Sequence, residues 1–314
     1  MGSLTEESRP DNAVRVDQSA GIREEMGFIE VGTQRLSATA HLPLGPVIGS
    51  LVMCQSICVD VIRNYRVEVL AARTLASRGI AVQRFHYRGT GNSDGDTEDM
   101  TFPAMVGDTV AVLDDLRRRY PGTPTALLGT RVGAVVAAAA AARAPGALLV
   151  LFEPITALAR FFKEGFRARI AESLAASAKE RLTTASLLEQ LRQRGSIELL
   201  GQTVGMALYE SAHDKTVEGC LVKGPRDVLL VQLGQGENLR PDYARLVDSL
   251  SERGCRVTDK LVGDEQVWWF IDFDDQQARK LRELRKRTGD VDADELSDCF
   301  DQWLRARFDP KEGP

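Results

Sequence analysis

Residues 126–133 read ALLGTRVG. An apolar run stops at Gly129, Gly133 follows four residues later, and an alanine-rich stretch begins. This is the outline of a buried strand, a sharp turn and a helix, a setting in which a nucleophilic serine is often presented. The centre of the turn here is Arg131. A guanidinium stays protonated throughout the working pH range, only donates hydrogen bonds and has no useful nucleophilicity.

On both sides of this turn the pattern alternates. Residues 27–43 alternate roughly with period two around Gly32 and predict a β-hairpin, and the continuous apolar run VIGSLVMC predicts a strand covered on both faces. Helical spacing follows over 65–78 with Gly79 as its stop, then strand IAVQRFHYR, an amphipathic helix over 104–119, strand PTALLGT, a helix over 131–143 and strand ALLVLFEP. Such alternation predicts an α/β fold with a mostly parallel, doubly wound sheet. The rhythm breaks at Pro154. Residues 155–222 carry helical stretches and no convincing strand, and the alternation resumes with DVLLVQLG, a helix over 241–252, CRVTDKLV and a helical tail from about 275. The expected organisation is a disordered tail over 1–24, an α/β core over 25–154 and 223–314, and a helical cap over 155–222 covering the strand ends where ligands bind.

The 314 residues are 43% hydrophobic, enough for a sizeable core, and carry a net charge of -5 without a basic block, which argues against a nucleic-acid surface. The five cysteines lack metal-ligand spacing, and no metal or cofactor is expected. The first 25 residues contain no apolar core of a signal peptide, and no run reaches the length of a membrane span. The expectation is a cytoplasmic protein.

Three ordered segments resemble the α/β-hydrolase superfamily: FHYRGTGNSDG at 85–95, with its RGxGxS core, GTRVG at 129–133, and the insertion after the following strand. A closer resemblance covers most of the chain. RNYRVEVLAARTLASRGIAVQRFHYRGTGNSDG, EPITALARFFKEGFRARIAESL, RQRGSIELLGQTVG and VWWF are similar to the hydrolase-like proteins found with bacterial exosortase systems and exopolysaccharide loci. That group often carries arginine at the turn. The resemblance implies an α/β-hydrolase fold and a role in a bacterial biosynthetic pathway.

Acyl transfer on this fold needs a nucleophile at the turn, a histidine after the last strand and a carboxylate to orient it. Arg131 holds the first position. The carboxylate position falls in GQGENL, where Glu237 stands, and the base position falls in VGDEQVWW, where Glu265 or Gln266 stands. The only histidines are His41, His86 and His213, none of which follows the last strand. Serine-esterase chemistry is therefore not expected.

The turn still has physical uses. The N–H of Val132 opens a helix, and an N–H from the loop Gln55–Cys58 can join it as an anion site. Arg131 makes that floor cationic, able to hold a carboxylate or phosphate or to stabilise an enolate. The plainer alternative pairs Arg131 with Glu237 or Glu265 in a site without chemistry. Ser56 or Cys58 is a candidate displaced nucleophile, although a free cysteine is more often a small buried hydrophobe. Trp268 is a candidate pocket wall. His86 reads better as a hydrogen-bonded residue at a strand end than as a base.

Three functions remain open. The first is a non-hydrolytic enzyme, of proton-transfer, epimerisation, cyclisation or lyase type, in which Arg131 holds an anionic group and Glu265 moves a proton. The second is a non-catalytic pseudo-hydrolase that binds a ligand or partner. The third is a hydrolase or acyltransferase using Cys58 or Ser56. The expected partner is a small-molecule, acyl or peptidyl substrate, with a second copy or a pathway protein as the macromolecular alternatives.

Overall fold

The computed structural model describes residues 12–175, 182–234, 236–263 and 294–308. The chain opens with three antiparallel strands, β1 (Ala13–Asp17), β2 (Ile22–Val31) and β3 (Gln34–Pro43). The expected hairpin is β2 and β3, turning at Gly32, whose φ of 65° suits a residue without a Cβ. Residues 13–24 were expected to be unstructured, but β1 pairs with the start of β2. The reason is edge pairing: backbone hydrogen bonds align a polar segment that buries little of its own surface, since all but the last residue of β1 are exposed.

The core then winds as the sequence pattern predicts. It runs through β4 (Gly49–Cys54), α1 (Val59–Ser77), β5 (Ile80–Phe85), a 3₁₀ turn (Thr97–Asp99), α2 (Phe102–Arg119), β6 (Thr125–Thr130), α3 (Gly133–Arg143) and β7 (Leu148–Phe152). β4, β5 and β6 are buried along their whole length, which explains their unbroken apolar runs. Pro103 in the first turn of α2 and the Thr101 hydroxyl, which accepts from the Ala104 N–H at 3.2 Å, fix the start of that helix.

Between β7 and the next sheet strand stand α4 (Leu158–Ala175), α5 (Thr184–Arg194), a small hairpin β8 (Ser196–Leu199) and β9 (Gln202–Gly205), α6 (Met206–Ala212) and α7 (Val217–Cys220). The hairpin corrects the expectation of a strand-free segment. Its two-residue turn, Leu200 and Gly201, has both φ angles positive, at 51° and 75°, the geometry that matches strand twist in tight hairpins. The chain returns to the sheet with β10 (Asp227–Leu233), α8 (Pro241–Glu252), β11 (Arg256–Val262) and α9 (Asp294–Phe308).

The nine-stranded sheet has the order β1-β2-β3-β5-β4-β6-β7-β10-β11, parallel from β5 onward. α1 and α9 cover one face, through Val67, Leu75, Phe300 and Leu304, and α2, α3 and α8 cover the other, through Val112, Val135 and Leu246. Among the described residues no helix is long and apolar enough to cross a membrane.

Candidate functional site

The turn after β6 is forced by its two glycines. A Cβ on Gly129 would come within 2.4 Å of the Ala134 Cα, and one on Gly133 within 2.0 Å of the Cys54 carbonyl oxygen. Only glycine lets the helix start pack so closely on its own strand and on the end of β4. Between them Arg131 is held at φ 55°, a left-handed conformation that costs a non-glycine residue on the order of 1 kcal/mol. Backbone bonds secure it: the Arg131 N–H donates to the Phe152 carbonyl and the Ile155 N–H to the Arg131 carbonyl, each at 3.1 Å.

One partner of Arg131 among the described residues is a carboxylate that the sequence reading did not propose. Arg131 Nε donates to Asp60 Oδ2 at 3.1 Å, from the first turn of α1. Glu237, expected as that partner or as the acid of a triad, is exposed in the loop after β10. Its loop turns outward to water, while Asp60 sits at the start of a helix whose first turn faces the sheet end and is 5% exposed. Glu265, Gln266 and Trp268 lie outside the described residues. The only signal for Asp60 in the sequence was an acid in the first turn of a helix following a buried strand, and 71 residues separate it from Arg131.

The loop between β4 and α1 also differs from expectation. Cys58 has φ 58°, and its N–H donates to Gln202 Oε1 of β9 at 2.6 Å, so that N–H is already engaged. The neighbouring Val59 N–H donates to the Leu200 carbonyl at 2.9 Å. The turn of the small hairpin thus sits directly on the loop that was expected to supply an anion-binding N–H. Carbonyls, not N–H groups, of Cys54 and Gln55 approach Gly133. Val132 is buried at the helix start in α-helical conformation, as the strand-turn-helix pattern requires.

Neither displaced nucleophile has a histidine base. Burial pushes the Cys58 thiol up to about 12, and the nearby Asp60 pushes in the same direction. Ser56 is fully buried, and its Oγ has no hydrogen-bond partner among the described residues. The three histidines are engaged elsewhere. His41 Nδ1 lies 2.9 Å from Glu24 Oε1, and burial lowers its pKa to about 4. His86 Nδ1 lies 3.0 Å from Gln55 Nε2, as a residue fixed at a strand end. His213 stacks on Tyr209 at 5.0 Å. Among the described residues no group of three metal-ligating side chains is present.

A second unpredicted carboxylate lies one strand over. Glu153, at φ 45° and 2% exposed, accepts from the Leu233 N–H at 2.6 Å and from the Tyr243 hydroxyl at 3.2 Å, and pairs with Arg240 Nη2 at 3.1 Å. These bonds tie β7, β10 and α8 together. Arg88 of the RGTG loop clamps Asp108 through Nε at 2.9 Å, a structural role. A cavity of about 300 Å³ opens on the α1 side of the sheet, lined by Gln55, Tyr65, Arg84, His86 and Asn92 among others. Of the substrate-contacting residues expected from sequence that are among the described residues, Gln55 lines it.

The wound sheet, the glycine-bounded turn after its central strand and the segment inserted after β7 define an α/β-hydrolase fold. Residues 65–198, less than half of the chain, match the sequence model of the family described as serine aminopeptidase, S33. Among solved structures, ferulic acid-bound Est1E from Butyrivibrio proteoclasticus is similar at a TM-score of 0.56 and 18% identity, covering 84% of this chain and 98% of that one. An esterase from Pyrococcus furiosus is similar at a TM-score of 0.55 and 14% identity, covering 86% of this chain and 93% of that one. At these identities the likeness is one of fold. A comparison with curated proteins gives no match.

Proposed function

We propose that this α/β-hydrolase-fold protein works without an acyl-enzyme intermediate, as a pseudo-hydrolase that binds an anionic small-molecule, acyl or peptidyl ligand. One observation carries the reading: the arginine at the centre of the turn after β6 is ion-paired to Asp60. Neither Ser56 nor Cys58 has a histidine beside it. In this reading the segment over 155–222 is a cap, and the protein serves a bacterial biosynthetic pathway in the cytoplasm, as its resemblance to exosortase-associated proteins implies.

The test is p-nitrophenyl acetate hydrolysis by the wild type and by Arg131→Ser. The wild type shows no burst and no turnover above background, and restoring the serine changes nothing, because no imidazole can take its proton. Turnover abolished by Ser56→Ala or Cys58→Ala sinks the proposal and reinstates a displaced nucleophile.

A second reading keeps catalysis: a non-hydrolytic enzyme in which Arg131 polarises an anionic group. It is favoured by the 23% exposure of the Arg131 side chain, which leaves the guanidinium in touch with solvent despite Asp60. Turnover of an anionic substrate that survives Ser56→Ala and Cys58→Ala but falls in Arg131→Ala would select it over the first.

A further inference from the structure

A different arginine makes the stronger case for a ligand. Arg84, near the end of β5, is 8% exposed and lines the cavity of about 300 Å³. Its Nε is buried with no hydrogen-bond partner. The guanidinium carbon stands 4.6 Å from the centroid of the Tyr65 ring. That cation–π contact is the one interaction of defined geometry that the described residues give its charge.

No carboxylate stands within salt-bridge distance of it among the described residues, although the buried Glu68 is near enough to feel its charge. Glu68 is deeply buried, and that burial raises its carboxyl pKa towards the neutral form, although Arg84 draws it down. His41 is kept neutral, by its own burial first and then by repulsion from Arg84. An isolated buried cation is costly, and proteins normally give it a counter-charge. Here the guanidinium lacks a direct ion pair, keeps a donor without a partner among the described residues, and lines a cavity.

The walls of that cavity are built. Thr39 and Arg84 are paired across β3 and β5, and Met26 pairs with Thr39 across β2. Period-two alternation then puts their side chains on one face of the sheet. His86 is fixed on the same face. Its ring accepts from Gln55 through Nδ1, so the neutral imidazole carries its proton on Nε2 and is a donor there. The RGTGNSDG loop closes against this ring so tightly that a Cβ on Gly91 would come within 2.7 Å of it. The Ser93 hydroxyl pins the loop to the His86 carbonyl at 2.8 Å. Asn92 on that loop adds an amide to the lining, and Phe28, Tyr65 and Met26 add apolar surface. The result is a preformed pocket at the small end of the ligand-pocket range, with one cation, an imidazole, two amides and apolar walls.

We propose that this cavity is an anion site, distinct from the Arg131 turn, in which Arg84 binds the carboxylate or phosphate of a small organic molecule whose flat apolar body lies against Tyr65 and Phe28. The guanidinium suits either oxyanion through paired N–H donors. Gln55 links the pocket to the loop beside the Arg131 turn.

The test is isothermal titration of the whole chain with benzoate and with phenyl phosphate. It uses the wild type, Arg84→Met, Thr39→Phe, Arg143→Met and Arg131→Ala, each checked for its folded circular dichroism spectrum. Saturable binding of at least one probe is expected, and the probe preferred tells carboxylate from phosphate. Arg84→Met should weaken that binding by about tenfold or more. Thr39→Phe, which fills the cavity and leaves every charge in place, should do the same and decides the matter if Arg84→Met does not fold. Arg143→Met, at an exposed arginine that ends α3, should bind as the wild type does. Binding of neither probe overturns the proposal, as does binding that survives the cavity variants. Loss in Arg131→Ala alone also overturns it and places the ligand at the turn, which leaves the proposed function standing.

Discussion

Two arginines of one sheet stand in opposite electrostatic situations. Arg131, at the exit of β6, is a quarter exposed and has a carboxylate 3.1 Å away. Arg84, at the exit of β5, is more deeply buried and has a tyrosine face and a cavity instead. On resemblance alone, attention goes to Arg131, because the turn that holds it resembles one that presents a nucleophile. The energetics point the other way: a charge in a direct ion pair has met more of its demand than a buried one without such a pair. An unusual residue at a familiar position is therefore weaker evidence of a ligand than an ordinary residue that lines a cavity with an unpartnered donor.

The largest effect should come from removing the Asp60 carboxylate from beside Arg131. Asp60→Ala is expected to lower unfolding stability by about 3 kcal/mol, at the low end for a broken buried pair because Arg131 retains some solvent. Urea denaturation measures it. Adding Arg131→Met should restore part of the loss, with a coupling of about 1–2 kcal/mol. Strict additivity of the two changes would show that the pair is incidental.

Next comes acid sensitivity around Arg84. His41, packed among Glu24, Arg73 and Arg84, titrates at about 4 when folded against 6.5 for the free side chain. The unfolded chain therefore binds the extra proton first. Stability conferred by the neutral ring is complete above about pH 6.5 and is lost as the pH falls towards 4, with a slope of about 1 kcal/mol per pH unit. The Glu24 carboxyl, held low chiefly by its hydrogen bonds from Arg73, is lost in the same direction. In Arg84→Met the acid loss should be shallower, because one repulsive charge beside His41 is gone. An unchanged pH profile would break the link between His41 and Arg84.

A smaller and opposite effect is expected for Arg84→Met at pH 7.5. Replacing a buried cation without a direct ion pair by an apolar chain of similar length should leave stability unchanged or raise it by about 1 kcal/mol. A loss of 3 kcal/mol would mean that Arg84 has a strong partner after all, and would remove the contrast with Arg131. The smallest effect concerns the loop between the two arginines. With its thiol at about 12, Cys58 should stay unmodified by iodoacetamide at pH 7.5 in the folded protein and react only on unfolding, as read by peptide mass spectrometry. Rapid alkylation would revive Cys58 as a nucleophile.

Much of the core was legible because its signals are local. The buried runs of β4, β5 and β6, the helical spacing of α1 and α2, and the strand–glycine–arginine–glycine turn each follow from residues a few positions apart. The small hairpin escaped notice because two four-residue strands are too short for periodicity to register, and β1 because an exposed edge strand has little apolar pattern at all. Glu237 seemed a natural acid from its place after β10, yet its loop turns it to solvent. The actual acids near the turn are marked by nothing local: Asp60 precedes the helix expected over 65–78, and Glu153 ends an apolar strand.

By itself, then, the sequence determined the winding of the sheet, the sharp turn after β6 and the chemical fact that its central side chain cannot attack a substrate. Hydrophobic periodicity and residue identity act over short stretches of chain, and both are written there. Only the tertiary structure decided which charges meet. Whether Arg131 finds a carboxylate and Arg84 finds a cavity depends on distances between segments far apart in sequence, set by how strands register and helices pack, and no local pattern encodes them.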